Sequence, residues 1–186
     1  MKQYSGKLRI IGGRHRGRVL KFSDIPGLRP TPDRVRETLF NWLTPQIEGT
    51  SCLDLFAGSG ALGIEAASRG ADDVVLVESN RRAAAAINLN LATIGIESAR
   101  IEHTDAIRYL NMCQQQFDII FLDPPYHTTL LDEAIEAISR LSPVNPGGAI
   151  YLEHAHTDPA PATPPGWSEH RHTKAGDVCG RLYRVL

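Results

Sequence analysis

From Thr50 onward, short apolar runs alternate with segments of helical periodicity, and this alternation limits the folds open to the chain. Strands are expected at 51–55, 73–78, 99–103 and 117–122, and helices at about 60–69, 81–93, 106–115 and 129–141. A fifth strand is expected at 148–154, and two last strands at about 167–174 and 180–186 should form a hairpin that closes one edge of the sheet. The pattern predicts an α/β fold, a doubly wound, mostly parallel seven-stranded sheet with helices on both faces.

Residues 1–40 differ from the rest of the chain in charge. They hold ten of the 20 Lys and Arg but three of the 21 acids, a net charge of +7, whereas the remaining ten basic residues and 18 acids give −8. A glycine-rich segment at 12–17 between strand candidates at 7–11 and 18–22 predicts a β-hairpin. We call residues 1–30 the basic arm and expect it to bind a polyanion, because guanidinium groups suit phosphates. A solvated hairpin with no partner is the alternative.

The arm leads into a predicted helix that opens the second unit, residues 31–186. Thr31 is expected to be the N-cap and Pro32 the first helical residue. The helix should run to about Trp42. Its arginines are expected at the surface together with the one that precedes it: Arg29, Arg34 and Arg36.

Composition and motifs bear on location and metal binding. No apolar run approaches a membrane span, and the N-terminus lacks the apolar core of a signal peptide, so we expect a cytoplasmic protein without membrane contact. Three widely spaced cysteines fit neither a disulfide framework nor a zinc site. Histidines alternate with other residues in two pairs: His154 and His156, and His170 and His172. Such a set could bind a metal ion, but the same period-two spacing is typical of surface positions on strands. We expect no metal.

A glycine loop follows the first strand of the alternating region. Its glycines allow close approach of the backbone to a ligand, and Glu78, 24 residues after Asp54, ends the next strand where it could accept hydrogen bonds from two ribose hydroxyls. A nucleoside-containing cofactor is therefore expected. Gly58, Gly60 and Gly63 also match the dinucleotide pattern, so a nicotinamide-dependent oxidoreductase is one alternative, although Asp54 would repel a pyrophosphate.

Four successive strands end in acids: Asp54, Glu78, Asp105 and Asp123. The carboxyl ends of parallel strands meet at one edge, where ligands bind. A row of acceptors there suits a cationic ligand rich in donors, such as S-adenosylmethionine. After Asp123, two prolines end the strand and Tyr126 offers a ring for stacking.

These motifs resemble those of known methyltransferases. The glycine loop with its preceding acid resembles motif I of Rossmann-like S-adenosylmethionine-dependent methyltransferases, and Asp-Pro-Pro-Tyr resembles the (Asn/Asp/Ser)-Pro-Pro-(Tyr/Phe) motif of those that methylate planar amino groups. The segments 9–13, 29–37, 53–63 and 121–126 together are similar to the RsmD-type enzymes, bacterial methyltransferases that act on a guanine N2 of 16S small-subunit ribosomal RNA. The chain departs from that pattern at Leu28, at Thr104 and in the tail, 175–186.

The resemblance implies a class I methyltransferase fold and assigns roles to residues. The base would be flipped into a pocket formed by the catalytic residues Asp123, Pro124 and Tyr126. The S-adenosylmethionine site would comprise Asp54, Phe56, Gly58, Gly60, Glu78, Asp105, Ala106 and Asp123. RNA phosphates would contact Arg9, Arg14, Arg16, Arg18, Arg29, Arg34 and Arg36.

The expected partner is small-subunit ribosomal RNA, free or in an assembling 30S particle, and the expected oligomeric state is a monomer. Other functions stay open besides the oxidoreductase. The same pocket would serve an adenine-N6 or protein-glutamine methyltransferase, and the fold could also belong to a non-catalytic RNA-binding module.

Overall fold

The computed structural model describes residues 6–22, 25 and 31–186. It begins with an antiparallel hairpin of strands β1 (Gly6–Arg9) and β2 (Val19–Phe22), followed by helix α1 (Asp33–Leu43). The predicted order of hairpin and helix is confirmed, with strands shorter than expected. The N-cap assignment was wrong, because Pro32 occupies the N-cap position and no side chain caps the helix.

The remainder of the chain alternates strands and helices as predicted. The alternating strands are β3 (Ser51–Asp54), β4 (Asp73–Val77), β5 (Ala99–Glu102) and β6 (Phe117–Leu122). The helices between and after them are α2 (Ala61–Ser68), α3 (Arg81–Ile94), α4 (Ala106–Met112) and α5 (Leu130–Leu141). The last strands are β7 (Val144–Ala155), β8 (Trp167–Ala175) and β9 (Val178–Val185). Strand β7 begins earlier than expected because Val144 already pairs with Phe117 before the register shifts.

Seven strands form one sheet in the order β5-β4-β3-β6-β7-β9-β8. The pairs from β5 to β7 are parallel, and β9 lies antiparallel between β7 and the edge strand β8, so the predicted doubly wound sheet with a terminal hairpin is confirmed. The chain winds outward in both directions from β3 and β6. The carboxyl ends of these two strands therefore form the switch point at which open α/β sheets bind ligands.

The helices cover both faces of the sheet. One core contains apolar residues of α1, α2 and α3, and the other contains those of α4 and α5. Leu8, Ile10 and Leu20 of the hairpin are buried in the first core, so the hairpin is packed against the body of the protein. None of the helices in the described ranges is both long and apolar enough to cross a membrane.

A buried carboxylate on α2 fixes the hairpin loop. Glu65 is 1% exposed, and its two oxygens accept hydrogen bonds from the backbone N–H groups of Ile11 (2.8 Å) and Gly12 (2.7 Å). The Nε atom of Arg69 also donates to Glu65, at 2.8 Å. The loop that carries the arm's arginines is thereby held in one position on α2.

Arg36 is the second component of this anchor, and its predicted surface position was wrong. Its side chain is fully buried, and its Nη2 atom donates to the Arg9 carbonyl at 3.1 Å and to Asp33 at 2.6 Å. Its Nη1 atom lies 3.6 Å from Glu65. Arg36 is adjacent in sequence to buried Val35, on the helix side that the hairpin covers. The ion pairs with Asp33 and Glu65 compensate the burial of this charge.

Candidate active site

A cleft of about 1000 Å³ opens at the carboxyl ends of the central strands. The residues that follow β3, β4, β5 and β6 line it, together with the end of β7 and the segment before α1. Its volume is at the upper end of the range of small-molecule sites. All four predicted strand-end acids line this one cleft: Asp54, Glu78, Asp105 and Asp123.

Asp54 lies at the base of the glycine loop and is 1% exposed. Its carboxylate accepts a hydrogen bond of 2.8 Å from the backbone N–H of Gly63. Glycine at 63 allows close packing, because a Cβ there would lie 2.8 Å from the Leu76 side chain on the sheet and would force it to shift. Asp54 and Gly63 thus join the first turns of α2 to the central strands.

The two other glycines of the motif have different roles. Gly58 lines the cleft, with φ of 55°. Gly60 is the N-cap of α2 with φ of 81° and is not part of the cleft lining, so its contribution is the turn rather than a contact surface. The sequence pattern therefore combines one cleft position with two positions that shape the loop.

Glu78 is held at the rim by the backbone. Its two oxygens accept hydrogen bonds from the N–H groups of Gly58 (2.8 Å) and Asn80 (2.6 Å). Since a carboxylate has about four acceptor sites, it can still accept further donors from the cleft. Two fixed acceptor atoms at the end of the second parallel strand suit a pair of ribose hydroxyls.

The residues that follow β5 form a more exposed wall of the cleft. Asp105 is exposed and caps α4 by accepting a 3.0 Å hydrogen bond from the backbone N–H of Arg108. Ala106 and Phe56 line the cleft beside it. The cleft thus offers an acceptor next to apolar surface.

The carboxylates of the cleft favour the binding of a cation. Burial, together with the nearby charges of Asp123 and Glu78, raises the pKa of Asp54 to about 7. Burial also raises the pKa of Asp123, to about 6. A ligand with positive charge would relieve the repulsion among these carboxylates, whereas a pyrophosphate would add to it. The acids therefore fit S-adenosylmethionine and do not fit a dinucleotide.

Asp123 stands where the prolines end β6, as predicted. The Thr31 hydroxyl donates a hydrogen bond of 2.9 Å to one of its oxygens. Pro124 is buried, and half-buried Tyr126 lines the same cleft. The side chain expected to cap α1 therefore orients a predicted catalytic residue instead.

Sequence reasoning missed Glu153, which lies in β7 behind this motif. It is 1% exposed and accepts hydrogen bonds from the Tyr151 hydroxyl (2.9 Å) and the Tyr126 hydroxyl (3.4 Å). A signal was present, because a carboxylate within the apolar run of a central strand is expensive unless it is partnered. Nothing in the sequence indicated the partners.

The arginines expected to contact RNA, in the arm and on α1, differ in exposure. Five are exposed and available to a polyanion: Arg9, Arg14, Arg16, Arg18 and Arg34. Arg36 is buried in the anchor to Glu65, and Arg29 lies outside the described residues. The loop is seated tightly, since the Arg14 N–H donates to the Ser68 carbonyl at 2.7 Å and a Cβ on Gly13 would lie 1.8 Å from that oxygen.

The alternating histidines have separate environments. His154 is buried, with Nε2 accepting from the Nε–H of Arg181 at 3.1 Å and Nδ1 2.9 Å from the Ala155 carbonyl, and burial with Arg181 lowers its pKa. A neutral ring with the proton on Nδ1 satisfies both contacts. His172 pairs with Glu169 at 3.0 Å. In the part of the chain that the structure describes, no three His, Cys, Asp or Glu side chains form a group able to hold a metal ion.

Comparison with known proteins agrees with this arrangement. Residues 8–184 match the profile of the family described as conserved hypothetical protein 95. The ribosomal RNA small subunit methyltransferase D of Escherichia coli K12 is 46% identical, over 97% of this chain and 91% of that protein. Its namesake from Haemophilus influenzae is 42% identical, over 96% and 94%. The solved structure of yhhF from E. coli is 44% identical and superposes with a TM-score of 0.87, over 97% of this chain and 98% of that one. The sequence resemblance is confirmed, and the chain belongs to the RsmD-type family of class I methyltransferases.

Proposed function

We propose that the chain transfers a methyl group from S-adenosylmethionine to the exocyclic N2 of a guanine in 16S ribosomal RNA. Family membership makes it an S-adenosylmethionine-dependent ribosomal RNA methyltransferase. The guanine N2 position is the finer part of the proposal. One observation supports methyl transfer to a planar amino group: Asp123 and Tyr126 open into the same cleft as Asp54 and Glu78, so an acceptor and a stacking ring adjoin the acidic cofactor wall. The choice of guanine among such groups follows the family resemblance.

The cofactor half of the cleft has groups that match each polar part of S-adenosylmethionine. This molecule, when bound, supplies an electrophilic methyl group on a sulfonium sulfur. Glu78 would accept hydrogen bonds from the ribose hydroxyls, and Asp54 would attract the positive charge. Asp105 would accept from the adenine amino group, between Phe56 and Ala106.

The other half of the cleft suits a planar amino group. The lone pair of guanine N2 is delocalised into the ring, which makes the nitrogen a poor nucleophile. Asp123 and the Pro124 carbonyl would accept its two N–H bonds and hold the nitrogen in the orientation needed for attack, while Tyr126 stacks on the base. Since a base within a helix cannot reach the cleft, the target would be unpaired or flipped out.

The basic arm supports an RNA substrate. Its exposed arginines, with Arg34 on α1, would contact backbone phosphates and set the register of the RNA. The anchor at Glu65 holds the hairpin loop against α2, so phosphate contacts there would orient the RNA relative to the cleft. We extend this role to Arg29 from the sequence alone.

We further propose that the enzyme acts as a monomer on ribosomal RNA, either free or in an assembling 30S particle. One chain supplies every wall of the cleft described above. The two forms of substrate can be compared directly in the same assay.

Mass spectrometry of nucleosides tests the proposal. The protein is incubated with S-adenosylmethionine and 16S ribosomal RNA, free and in partly assembled subunits. N2-methylguanosine is expected, and an Asp123→Ala variant should bind RNA but transfer no methyl group. Detection of N6-methyladenosine or of methylated glutamine would instead identify one of the alternative acceptors. Full activity of Asp123→Ala would overturn the assignment of the pocket.

A further inference from the structure

Glu153 and Asp123 are two carboxyl groups that line the substrate side of the same cleft. The Thr31 hydroxyl donates to Asp123 at 2.9 Å. Burial raises the pKa of Asp123, and side-chain hydrogen bonds from Thr31 and from Glu153 lower it. Two carboxylates cannot share a hydrogen bond unless one proton lies between them. The pair therefore holds one proton whenever this geometry is present.

The described groups around the pair include no positive charge that could compensate two ionised carboxylates. Glu153 accepts hydrogen bonds from the hydroxyls of Tyr126 and Tyr151, and the further groups near the pair are neutral or acidic. The surrounding titratable and polar groups are Thr31, Asp54, Asp123, Tyr126, Tyr151 and Cys179. Among the described residues, no Lys, Arg or His side chain hydrogen-bonds to Glu153 or Asp123.

We propose that Glu153 is a positioning residue: as a neutral carboxylic acid it donates its proton to Asp123 and thereby holds the Asp123 carboxylate charged and oriented toward the substrate amino group. The role of Asp123 in this statement rests on the proposed function. The protonation of Glu153 does not, because it follows from the contacts within the protein.

The different locations of Glu153 and Asp123 determine which of the two carboxyl groups is protonated. Glu153 lies inside a central strand, whereas Asp123 lies half-buried at the cleft and receives a second hydrogen bond from Thr31. Burial and the adjacent Asp123 charge raise the pKa of Glu153 well above its ordinary value. Hydrogen bonds from Thr31 and Glu153 instead stabilise ionised Asp123.

Glu153 also connects the acceptor with the stacking ring. The hydroxyl of Tyr126 donates to Glu153, so one buried side chain contacts both cleft residues that would hold the base. Tyr151 fixes Glu153 in turn through a 2.9 Å hydrogen bond. Removing Glu153 should therefore loosen the acceptor and the ring together.

The first test measures protonation without any RNA. Isotope-edited infrared spectroscopy of protein labelled with ¹³C at the glutamate carboxyl should show a protonated C=O band at neutral pH. The band should be absent in Glu153→Gln and present in Glu136→Gln, a matched control at an exposed position on α5. A wild-type spectrum with only carboxylate bands would overturn the proposal, whatever the substrate is.

The second test separates positioning from simple support of the fold. A glutamine at 153 can still donate to Asp123, so Glu153→Gln should keep kcat within about threefold at neutral pH, whereas Glu153→Ala should lose roughly 10- to 100-fold with little change in KM for RNA. At alkaline pH the wild-type rate should fall as Glu153 ionises beside Asp123, and Glu153→Gln should lack this decline. Equal alkaline loss in both proteins would overturn the proposal. If no methylation occurs with any substrate, the proposed function fails, while the infrared result still decides the protonation of Glu153.

Discussion

The Thr31 hydroxyl donates a 2.9 Å hydrogen bond to Asp123, although 92 residues separate them in sequence. Thr31 is 4% exposed and lies two residues before α1, on the segment that leads out of the basic arm. The N-terminal region therefore supplies part of the active site as well as a surface for RNA. This contact links the seating of the arm to the orientation of the proposed catalytic carboxylate.

Replacing Thr31 by Val should lower methyl transfer through Asp123. Loss of a hydrogen bond to a charged group corresponds to roughly a 10-fold fall in kcat. The Thr31 hydrogen bond stabilises ionised Asp123, so its loss should also raise the pKa of Asp123 above its present value of about 6. The acid limb of the kcat–pH profile should then move to higher pH.

The control for this experiment is Thr31→Ser, which retains the hydroxyl. It should keep near wild-type kcat and an unchanged acid limb, and RNA affinity should be similar in all three proteins. An unaltered pH profile in Thr31→Val would show that the hydrogen bond does not control the ionisation of Asp123.

Local patterns sufficed to predict much of the fold and of the cofactor wall. The predicted strand 117–122 has the same bounds as β6 in the structure, because an acid and two prolines directly after it end the strand. Asp54, Glu78 and Asp105 could be placed at one edge because parallel strands present their carboxyl ends together. These features depend on neighbours close in sequence or on a general rule of sheet topology.

The residues that sequence reasoning misplaced depend on distant partners. Arg36 is buried because Glu65 and the Arg9 carbonyl meet it, and Thr31 reaches a strand end 92 residues away. Glu153 has a role only because Asp123 and Tyr126 adjoin it. Periodicity and capping rules carry no information about such contacts, which form only when elements distant in sequence pack together.

Ionisation of Asp54 should make the stability of the cofactor-free protein fall with pH. Its pKa is about 7 in the folded protein, against about 3.9 for an unperturbed Asp. The folded state thus retains the proton longer than the unfolded state, and stability is lost as pH rises between these values. Asp54→Asn removes this loss, so the variant should gain up to a few kcal/mol over wild type at about pH 8 and little at about pH 4.

Urea unfolding of both proteins across this pH range measures the difference. Asp54→Asn should bind S-adenosylmethionine more weakly than wild type. The affinity of the wild type should rise as pH passes through about 7, and the variant should lack this rise. A pH-independent stability difference between the two proteins would contradict the raised pKa.

The anchor of the arm predicts opposite outcomes for two arginines of α1. Arg36→Gln breaks a buried ion pair with Glu65 and should lower the free energy of unfolding by roughly 3 kcal/mol. Arg34→Gln, at an exposed position two residues earlier, should change stability by no more than about 0.5 kcal/mol. Denaturant titration compares them directly, and equal stabilities would contradict the anchoring role of Arg36.

The exposed arginines of the arm should govern the salt dependence of RNA binding. If the arm neutralises about four phosphates, the logarithm of the association constant should fall with the logarithm of salt concentration at a slope of roughly −3. Converting Arg14, Arg16 and Arg18 to Gln should reduce the magnitude of that slope by about 2 and weaken binding at low salt. Filter binding or fluorescence anisotropy at several salt concentrations provides the measurement.

Arg140→Gln is a control for the loss of positive charge away from the arm. Arg140 is exposed at the end of α5, on the opposite face of the sheet from the arm. Its removal changes the net charge by one without touching the proposed RNA surface, so the slope should stay at the wild-type value. If the arm variant had the same slope as wild type, its arginines would not contact phosphates, and the +7 charge of residues 1–40 would serve another purpose.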